Sequence, residues 1–230
     1  MKEIEFSRTD ESAVVPDVVT RAIDRLTIEG YLKSHDTRKL QLGCGSNVLR
    51  GWLNTDLRRG PGVLSLDVTQ PFPLPASAFH YIFSEHLIEH LPYVHAGTFL
   101  AECRRCLVPG GKIRISTPDL LFLTRLYEDA LGDIEQRYIS WHMNRFFDGK
   151  QDRNPVFVIN DFFYMWGHRM IYDFKTLDDL LGQVGFVESR RYMPGNSDES
   201  HLRGVEGHGR IIGEEFNELE SMVIEARKRP

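Results

Sequence analysis

The hydrophobic positions of this chain form short apolar runs that are separated by stretches with helical periodicity. Apolar residues recur at helical spacing over 17–34, which predicts an amphipathic N-terminal helix. Short apolar runs predict five strands, over 39–42, 53–57, 63–67, 79–83 and 112–116. A helix over 95–107 and a turn at 109–111 precede the fifth strand. Strands followed by helices in this order indicate an α/β fold with a mostly parallel sheet.

The second half of the chain departs from this alternation. Residues 119–172 are rich in large aromatic rings and predict helices over 120–131 and 133–146. We interpret this insertion as a cap on the carboxyl edge of the sheet, although enlarging the core or forming a dimer face would explain it equally well. A helix over 176–184 and strands over 186–192 and 221–226 complete the pattern. The long segment 194–210, dense in Gly, Ser, Asp and His, predicts a mobile functional loop.

Length and charge limit the class of protein. The 230 residues, 41% hydrophobic and 27% charged, fit a single domain over 1–230. The net charge is −5 and the basic cluster 227–229 is short, so no nucleic-acid partner is expected. No apolar run approaches the ~20 residues that cross a bilayer, and the charged first residues lack a signal-peptide core. We therefore expect a cytoplasmic protein with no membrane partner.

The three cysteines predict no disulfide framework. Cys103 and Cys106 form C-x-x-C inside a helical pattern, without a second pair to complete a zinc site. We interpret them as two apolar thiols on one face of a helix.

The stretch 39–47, followed by 53–57, predicts a strand, a glycine loop and a second strand that ends in an acid. Gly43 and Gly45 remove Cβ atoms where the backbone must turn and let a ligand lie against it, and the backbone of Cys44 is expected to meet that ligand. Such a loop at the carboxyl end of a parallel strand is where open α/β sheets bind nucleosides. Asp56 can accept hydrogen bonds from both ribose hydroxyls. In dinucleotide folds the acid lies ~20 residues beyond the glycines, so this crossover is unusually short.

These residues carry a resemblance to a known family. The run Leu40–Gly45 resembles the first motif of the class I S-adenosylmethionine-dependent methyltransferases, and Gly51–Leu57 is similar to a bacterial subgroup of predicted methyltransferases with a short crossover. The resemblance covers about 39–119. It implies a Rossmann-like seven-stranded, mostly parallel sheet with an antiparallel last strand, and S-adenosylmethionine as cofactor.

The resemblance also implies roles for residues at the later strand ends. Asp67 and the backbone of Val68 would contact the adenine edge, whereas the alternative for Asp67 is a loop acid that caps backbone amides. Ser84 and Glu85 would lie beside the methionine half of the cofactor. His86 would orient or deprotonate the acceptor and is the predicted catalytic residue, unless it only stabilises the turn. The predicted cofactor-binding residues are Gly43, Cys44, Gly45, Ser46, Asp56, Leu57, Asp67, Val68, Ser84 and Glu85, and no metal is expected.

Residues 86–90 offer a competing chemistry. His86-Leu87-Ile88-Glu89-His90 fits H-x-x-E-H, the inverted zincin motif, in which one helix face presents both histidines to zinc and the glutamate acts as base. Pro92 cuts that helix, and no suitable acid follows as a third ligand. A nicotinamide dehydrogenase would need glycine at Val48. A non-catalytic cofactor-binding module stays open as a further alternative.

The predicted activity is methyl transfer to a small-molecule or sugar-containing acceptor by direct displacement at the sulfonium methyl. The insertion 119–172 and the loop 194–210 are expected to form the acceptor pocket together. His168, His201 and His208 are interpreted as exposed loop residues, and the sequence does not select between Arg169 and Arg203 for an acidic acceptor. A homodimer is left open.

Overall fold

The computed structural model describes residues 18–128, 130–147 and 154–230, with side chains from residue 22 onward in the first range. The predicted N-terminal helix is α1 (Val18–Ser34); its expected start at residue 17 lies outside the described residues. This helix belongs to a compact unit that ends at Asp36. On its surface Arg25 pairs with Glu29, one turn later, at 2.9 Å.

The second compact unit, residues 37–230, is built around a seven-stranded sheet. Its strands are β1 (Lys39–Leu42), β2 (Leu53–Asp56), β3 (Val63–Ser65), β4 (Phe79–Glu85), β5 (Leu107–Pro118), β6 (Phe186–Tyr192) and β7 (Ser221–Lys228). They lie in the order β3-β2-β1-β4-β5-β7-β6. Only β7 runs antiparallel to its neighbours, β5 and β6. The predicted fold class is therefore confirmed.

The predicted helices over 95–107, 133–146 and 176–184 are present, whereas the predicted helix over 120–131 ends at Arg125 and three further helices of the described residues were not predicted. The helices of this unit are α2 (Tyr93–Cys106), α3 (Leu120–Arg125), α4 (Asp133–Phe146), α5 (Pro155–Tyr164), α6 (Phe174–Val184), α7 (Gly209–Ile212) and α8 (Glu214–Glu220). Asp119 caps α3 by accepting the Leu121 N–H at 2.9 Å. Helix α6 starts at Phe174, two residues earlier than predicted, because Asp173 accepts the Thr176 N–H at 2.8 Å. None of the described helices is long and apolar enough to cross a membrane.

Two further predictions concern α2 and the strand after it. Cys103 and Cys106 are fully buried free thiols on α2, which confirms their interpretation as apolar side chains. Burial raises the pKa of Cys106 to about 11. The predicted turn at 109–111 is an irregularity within β5, where the register with β4 shifts and Gly110 adopts φ +79°.

The connection from β1 to β2 contains no helix, as the short spacing predicted. A sheet face must be covered, and here the cover comes from residues 194–212, which we call the late segment. Leu202 and Val205 of this segment pack in one buried cluster with Trp52 and Phe83. The late segment therefore covers the sheet beside β1 and β4, where a crossover helix is missing.

A buried arginine ties the late segment to the centre of the sheet. Arg114 on β5 is fully buried and lies 2.5 Å from Glu206 and 2.6 Å from Glu225 on β7. It also donates to the Asn196 carbonyl at 2.8 Å, and the second Glu206 oxygen accepts the Gly195 N–H at 3.0 Å. Both ends of the loop thus share one charge cluster. Mobility of 194–210 stays a prediction.

Candidate functional site

The glycine loop turns at the end of β1 in the conformation that the sequence requires. Gly43 and Gly45 have φ of +64° and +51°, a region that other residues rarely adopt. A Cβ at Gly43 would lie 2.9 Å from the Leu87 side chain, whereas at Gly45 it would meet nothing within 4 Å. Gly45 and Ser46 are exposed. The loop therefore offers an open backbone surface at the expected edge of the sheet.

Cys44, between the two glycines, faces inward. Its N–H donates to the Thr55 carbonyl at 3.0 Å and its carbonyl accepts the Asn47 N–H at 2.8 Å. Burial, followed by the charge of Asp56, raises the pKa of the thiol to about 11. The backbone groups of Cys44 thus hold the loop in shape, and the surface available to a ligand is that of its neighbours.

Asp56 lies at the end of β2, directly across from the glycine loop. Its carboxylate accepts the Gly45 N–H at 2.9 Å and the Arg58 N–H at 3.2 Å. A carboxylate offers about four acceptor sites, so about two remain for hydroxyls. Leu57, the next residue, is 67% exposed. Asp56 thus ends its strand as predicted, and the contact of these two residues with a ribose stays a prediction.

Asp67 and Val68, both half-buried, follow β3. Asp67 accepts from the Thr69 N–H at 2.9 Å and from the Thr69 hydroxyl at 2.7 Å. The amide cap that was the alternative for Asp67 is therefore present, and the other carboxylate oxygen is left for a further contact.

The end of β4 contributes one buried hydroxyl and one engaged carboxylate. Ser84 is 1% exposed and its Oγ has no hydrogen-bond partner in the described part of the chain. Glu85 accepts the N–H groups of Gly207 at 2.8 Å and His208 at 3.0 Å. The late segment also touches the glycine loop, where Asn47 donates to the Val205 carbonyl at 2.9 Å. Glu85 therefore fixes the late segment beside the predicted cofactor edge.

His86 stands in an uncommon backbone conformation, with φ +46°. Its Nδ1 lies 3.2 Å from Oε1 of Glu89, which is fully buried and accepts the Thr117 hydroxyl at 2.9 Å. Burial alone would lower the pKa of His86, but the contact with Glu89 outweighs it and raises that pKa. The same contact outweighs the effect of burial on Glu89 and lowers its pKa.

The H-x-x-E-H interpretation fails on this geometry. Only residues 88–90 form a 3₁₀ turn, so no helix face carries both His86 and His90. Glu89 faces His86 and Thr117 in the interior. Neither the paired zinc ligands nor an accessible base of that motif is formed.

A cavity of about 290 Å³ opens beside His86. It is bounded by the turn after β4, by α4 and α5, by the late segment and by α8. Its aromatic walls are Tyr138, Trp141, Phe146, Phe162 and Trp166, and its histidines are His86, His90, His142, His168 and His208. The two segments predicted to form an acceptor pocket thus line one cavity.

Glu220 is a polar residue of this cavity that the sequence did not single out. It accepts the Tyr138 hydroxyl on one oxygen and lies 2.8 Å from His208 Nε2 through the other. The rings of His208 and His86 are 4.0 Å apart. The sequence does contain a signal for Glu220, because an antiparallel strand starts at the edge of the sheet where its parallel neighbours end. The acid just before β7 therefore belongs to the same edge as the acids after β2 and β3.

The expectation of exposure holds for His201 but is wrong for His168 and His208, which are half-buried in the cavity wall. Neither arginine singled out from the sequence lines the cavity. Arg203 donates to the Ser197 carbonyl at 2.9 Å within its own loop. The arginine at the cavity is Arg145.

Known proteins resemble this chain in part of its sequence and in its fold. Residues 50–115 match a family model described as "Methyltransferase domain". No curated protein sequence matches the chain. The similar solved structures share less than a fifth of their residues with it and show its fold.

Three of these structures indicate the extent of the likeness. An S-adenosylmethionine-dependent methyltransferase from Mesorhizobium loti is 17% identical, with a TM-score of 0.51, over 86% of this chain and 96% of that one. A Thermotoga maritima protein, described as a possible histamine N-methyltransferase, is 16% identical, with a TM-score of 0.50, over 92% of each chain. Phosphoethanolamine N-methyltransferase 2 from Haemonchus contortus is 13% identical, with a TM-score of 0.46, over 90% of this chain. This chain spans 53%, about half, of that longer protein.

Proposed function

We propose that this chain, a class I S-adenosylmethionine-dependent methyltransferase by its matched domain and its fold, methylates a small-molecule or sugar-containing acceptor in the cavity beside His86. One observation carries the proposal. The end of β4 supplies Ser84 and Glu85 to the predicted cofactor edge, and the next residue, His86, lines a partly open cavity of about 290 Å³. That volume is at the small end of the range for small-molecule sites, which favours a compact acceptor over a polymer.

The predicted cofactor-binding residues suit the cofactor of this class. We assign Gly43, Gly45 and Ser46 to the methionine half, with Cys44 holding the loop in shape between them. Asp56 and Leu57 are assigned to the ribose, and Asp67 and Val68 to the adenine edge. The acceptor sites left on Asp56 and the open space at Gly45 support this assignment. Ser84 contributes a buried hydroxyl that lacks a partner among the described residues. Glu85 acts through the amides of Gly207 and His208 and is a positioning residue.

When bound, S-adenosylmethionine supplies a methyl group on an activated sulfonium. The task of the chain is then to align the acceptor with that methyl group and to exclude water. The aromatic walls make most of the cavity surface apolar, which disfavours water beside the acceptor. His86 lies between the cofactor edge and the cavity, where it orients the acceptor or takes its proton.

Several finer assignments are part of the same proposal. The helix-free connection between β1 and β2 supports membership in the bacterial subgroup with a short crossover. A cytoplasmic location and a single domain over 1–230 remain predictions of the sequence, and a homodimer stays open.

Calorimetry with S-adenosylhomocysteine tests the cofactor assignment. Asp56→Asn keeps the size of the side chain but removes its charge, and we expect binding to weaken about tenfold or more, since a hydrogen bond to a charged group contributes roughly 1.5–3 kcal/mol. His86→Asn should bind the same compound with near-normal affinity and transfer methyl groups more slowly. His201→Gln, an exposed histidine outside the cavity, is the control.

A screen with isotopically labelled S-adenosylmethionine tests the acceptor class. Pools of small hydroxyl, amine, carboxylate and sugar compounds should contain an acceptor. Transfer only to nucleic acid or protein, with none to the pools, would contradict a small acceptor. Wild-type protein that binds no S-adenosylhomocysteine would contradict the site itself.

A further inference from the structure

Two imidazoles and a carboxylate meet at one wall of the cavity. His86 comes from the turn after β4, His208 from the late segment and Glu220 from the end of α8. Each offers one ligand atom, and the three atoms lie within 4.8 Å of one another. Because His86 is far in sequence from His208 and Glu220, its approach to them is a product of the tertiary fold.

We propose that His86, His208 and Glu220 bind a zinc-like divalent transition-metal ion, a site beyond the methyl transfer proposed above. Two imidazole nitrogens and one carboxylate oxygen are a ligand set that zinc and iron(II) accept. A tetrahedral ion with bonds of about 2.1 Å holds its ligand atoms about 3.4 Å apart. His208 Nε2 and Glu220 Oε1 are already closer than this, at 2.8 Å. Side-chain movements of about an ångström would therefore bring the three ligand atoms, now within 4.8 Å of one another, to the spacing around an ion.

The residues behind the cluster hold its ligands as the outer partners of a metal site do. Glu89 lies 3.2 Å from Nδ1 of His86 and is itself held by the Thr117 hydroxyl. A carboxylate on one ring nitrogen of a histidine orients the other nitrogen for a metal. Tyr138 donates to the Glu220 oxygen that is turned away from His208. Both His86 and Glu220 are thus positioned by buried residues, Glu89 behind His86 and Tyr138 beside Glu220.

The backbone conformation of His86 also supports the metal site. Its φ of +46° is rare for a residue with a Cβ, and such strain persists where the surroundings enforce it for a functional purpose. This conformation brings the His86 ring to 4.0 Å from that of His208.

Three protein ligands leave a fourth tetrahedral position, which faces the cavity of about 290 Å³. An oxygen or nitrogen of the acceptor fits there. When an ion is bound, His86 is one of its ligands. The direct contact of His86 with the acceptor proposed above therefore applies only to the metal-free protein. A second trio, Glu89, His90 and His168, lies nearby. Glu89 is already engaged with His86 and Thr117, so we assign it to support of the first trio.

The test is metal binding by the full chain, freed of any affinity tag and stripped with a chelator. Zinc(II) is titrated in equilibrium dialysis with elemental analysis, and cobalt(II) is used to read ligand geometry from its visible spectrum. We expect one saturable zinc ion per chain and a cobalt spectrum typical of four-coordination. His208→Gln and Glu220→Gln should each lower zinc affinity at least tenfold. His86→Asn is the matching third variant, because asparagine tolerates positive φ.

The controls separate this site from other histidines. His201→Gln, outside the cavity, should leave zinc affinity unchanged, and Glu89→Gln should lower it by roughly 10–100-fold as an outer partner. Absence of saturable zinc and cobalt binding overturns the proposal. So does binding that survives His208→Gln and Glu220→Gln but is lost in His90→Asn and His168→Asn. Circular dichroism and S-adenosylhomocysteine affinity report on folding and on the cofactor site independently of the metal.

Discussion

Replacing Arg114 with methionine should cost the protein a large part of its stability. The guanidinium is fully buried, and it is the cation between two carboxylates, Glu206 and Glu225, whose side chains are 4% and 5% exposed. Arg114→Met keeps much of the side-chain length and removes the charge. Two carboxylates then face each other in the interior without the arginine that separates them, and the late segment loses its hydrogen bond through Asn196.

The expected loss follows from burial. Removing one partner of a buried ion pair costs roughly 3–5 kcal/mol, because the remaining charge stays buried without compensation. A domain of this size has about 5–15 kcal/mol of stability in total, so the loss is about a fifth of it or more. Arg190 provides a matched control, since its pair with Asp198 is 3.4 Å long and 71% exposed on both sides. Such surface pairs contribute about 0–1 kcal/mol.

Urea unfolding followed by tryptophan fluorescence and circular dichroism measures both variants under the same conditions. Arg114→Met combined with Glu206→Gln and Glu225→Gln should recover part of the loss, because the uncompensated charges are gone. The reasoning is refuted if Arg114→Met lowers the free energy of unfolding no more than Arg190→Met does. It is also refuted if the triple variant is no more stable than Arg114→Met.

Three further predictions concern the late segment and the insertion. Gly207→Ala would put a Cβ 2.6 Å from the Asn47 side chain, so S-adenosylhomocysteine affinity in calorimetry should fall more than for Gly182→Ala, a position in α6 where a Cβ meets nothing within 4 Å. Burial outweighs the charges of Asp161 and Glu220 and lowers the pKa of His142, so protonation of His142 favours the unfolded chain. The free energy of unfolding should therefore fall as pH drops below about 6.5, and His142→Gln should make this fall smaller in urea titrations. Limited proteolysis within the late segment should slow when cofactor and acceptor are both bound, and equal rates in all states would contradict a lid.

Local patterns predicted the elements of the sheet because they depend on neighbours in sequence. Strand β1 and the acid at the end of β2 were found from apolar runs and glycines. The connection without a helix followed from spacing alone. The error at the start of α6 was small and had a local cause in Asp173, whereas α3 ends at Arg125, well before the predicted 131.

Contacts between distant residues could not be read in this way. The alternation of β5 predicts that Arg114 faces a polar side, yet it is fully buried because the late segment covers that side. The group formed by Tyr138, His208 and Glu220 likewise joins three segments whose sequences carry no mark of each other. We expected His208 to be exposed because it lies in a glycine-rich loop. Nothing in the sequence of that loop indicates that His208 lines a cavity together with residues of the insertion.

The covering of the sheet by the late segment has a consequence for the order of folding. Asn47 bonds to Val205, 158 residues later, and Glu85 bonds to Gly207, 122 residues later. Contacts of such high sequence separation raise the contact order and form slowly. During synthesis β1, β2 and β4 emerge well before residues 205–208, so the glycine loop first exists without the chain that supports it. Competence to bind a cofactor is therefore acquired only when the last third of the chain has folded back.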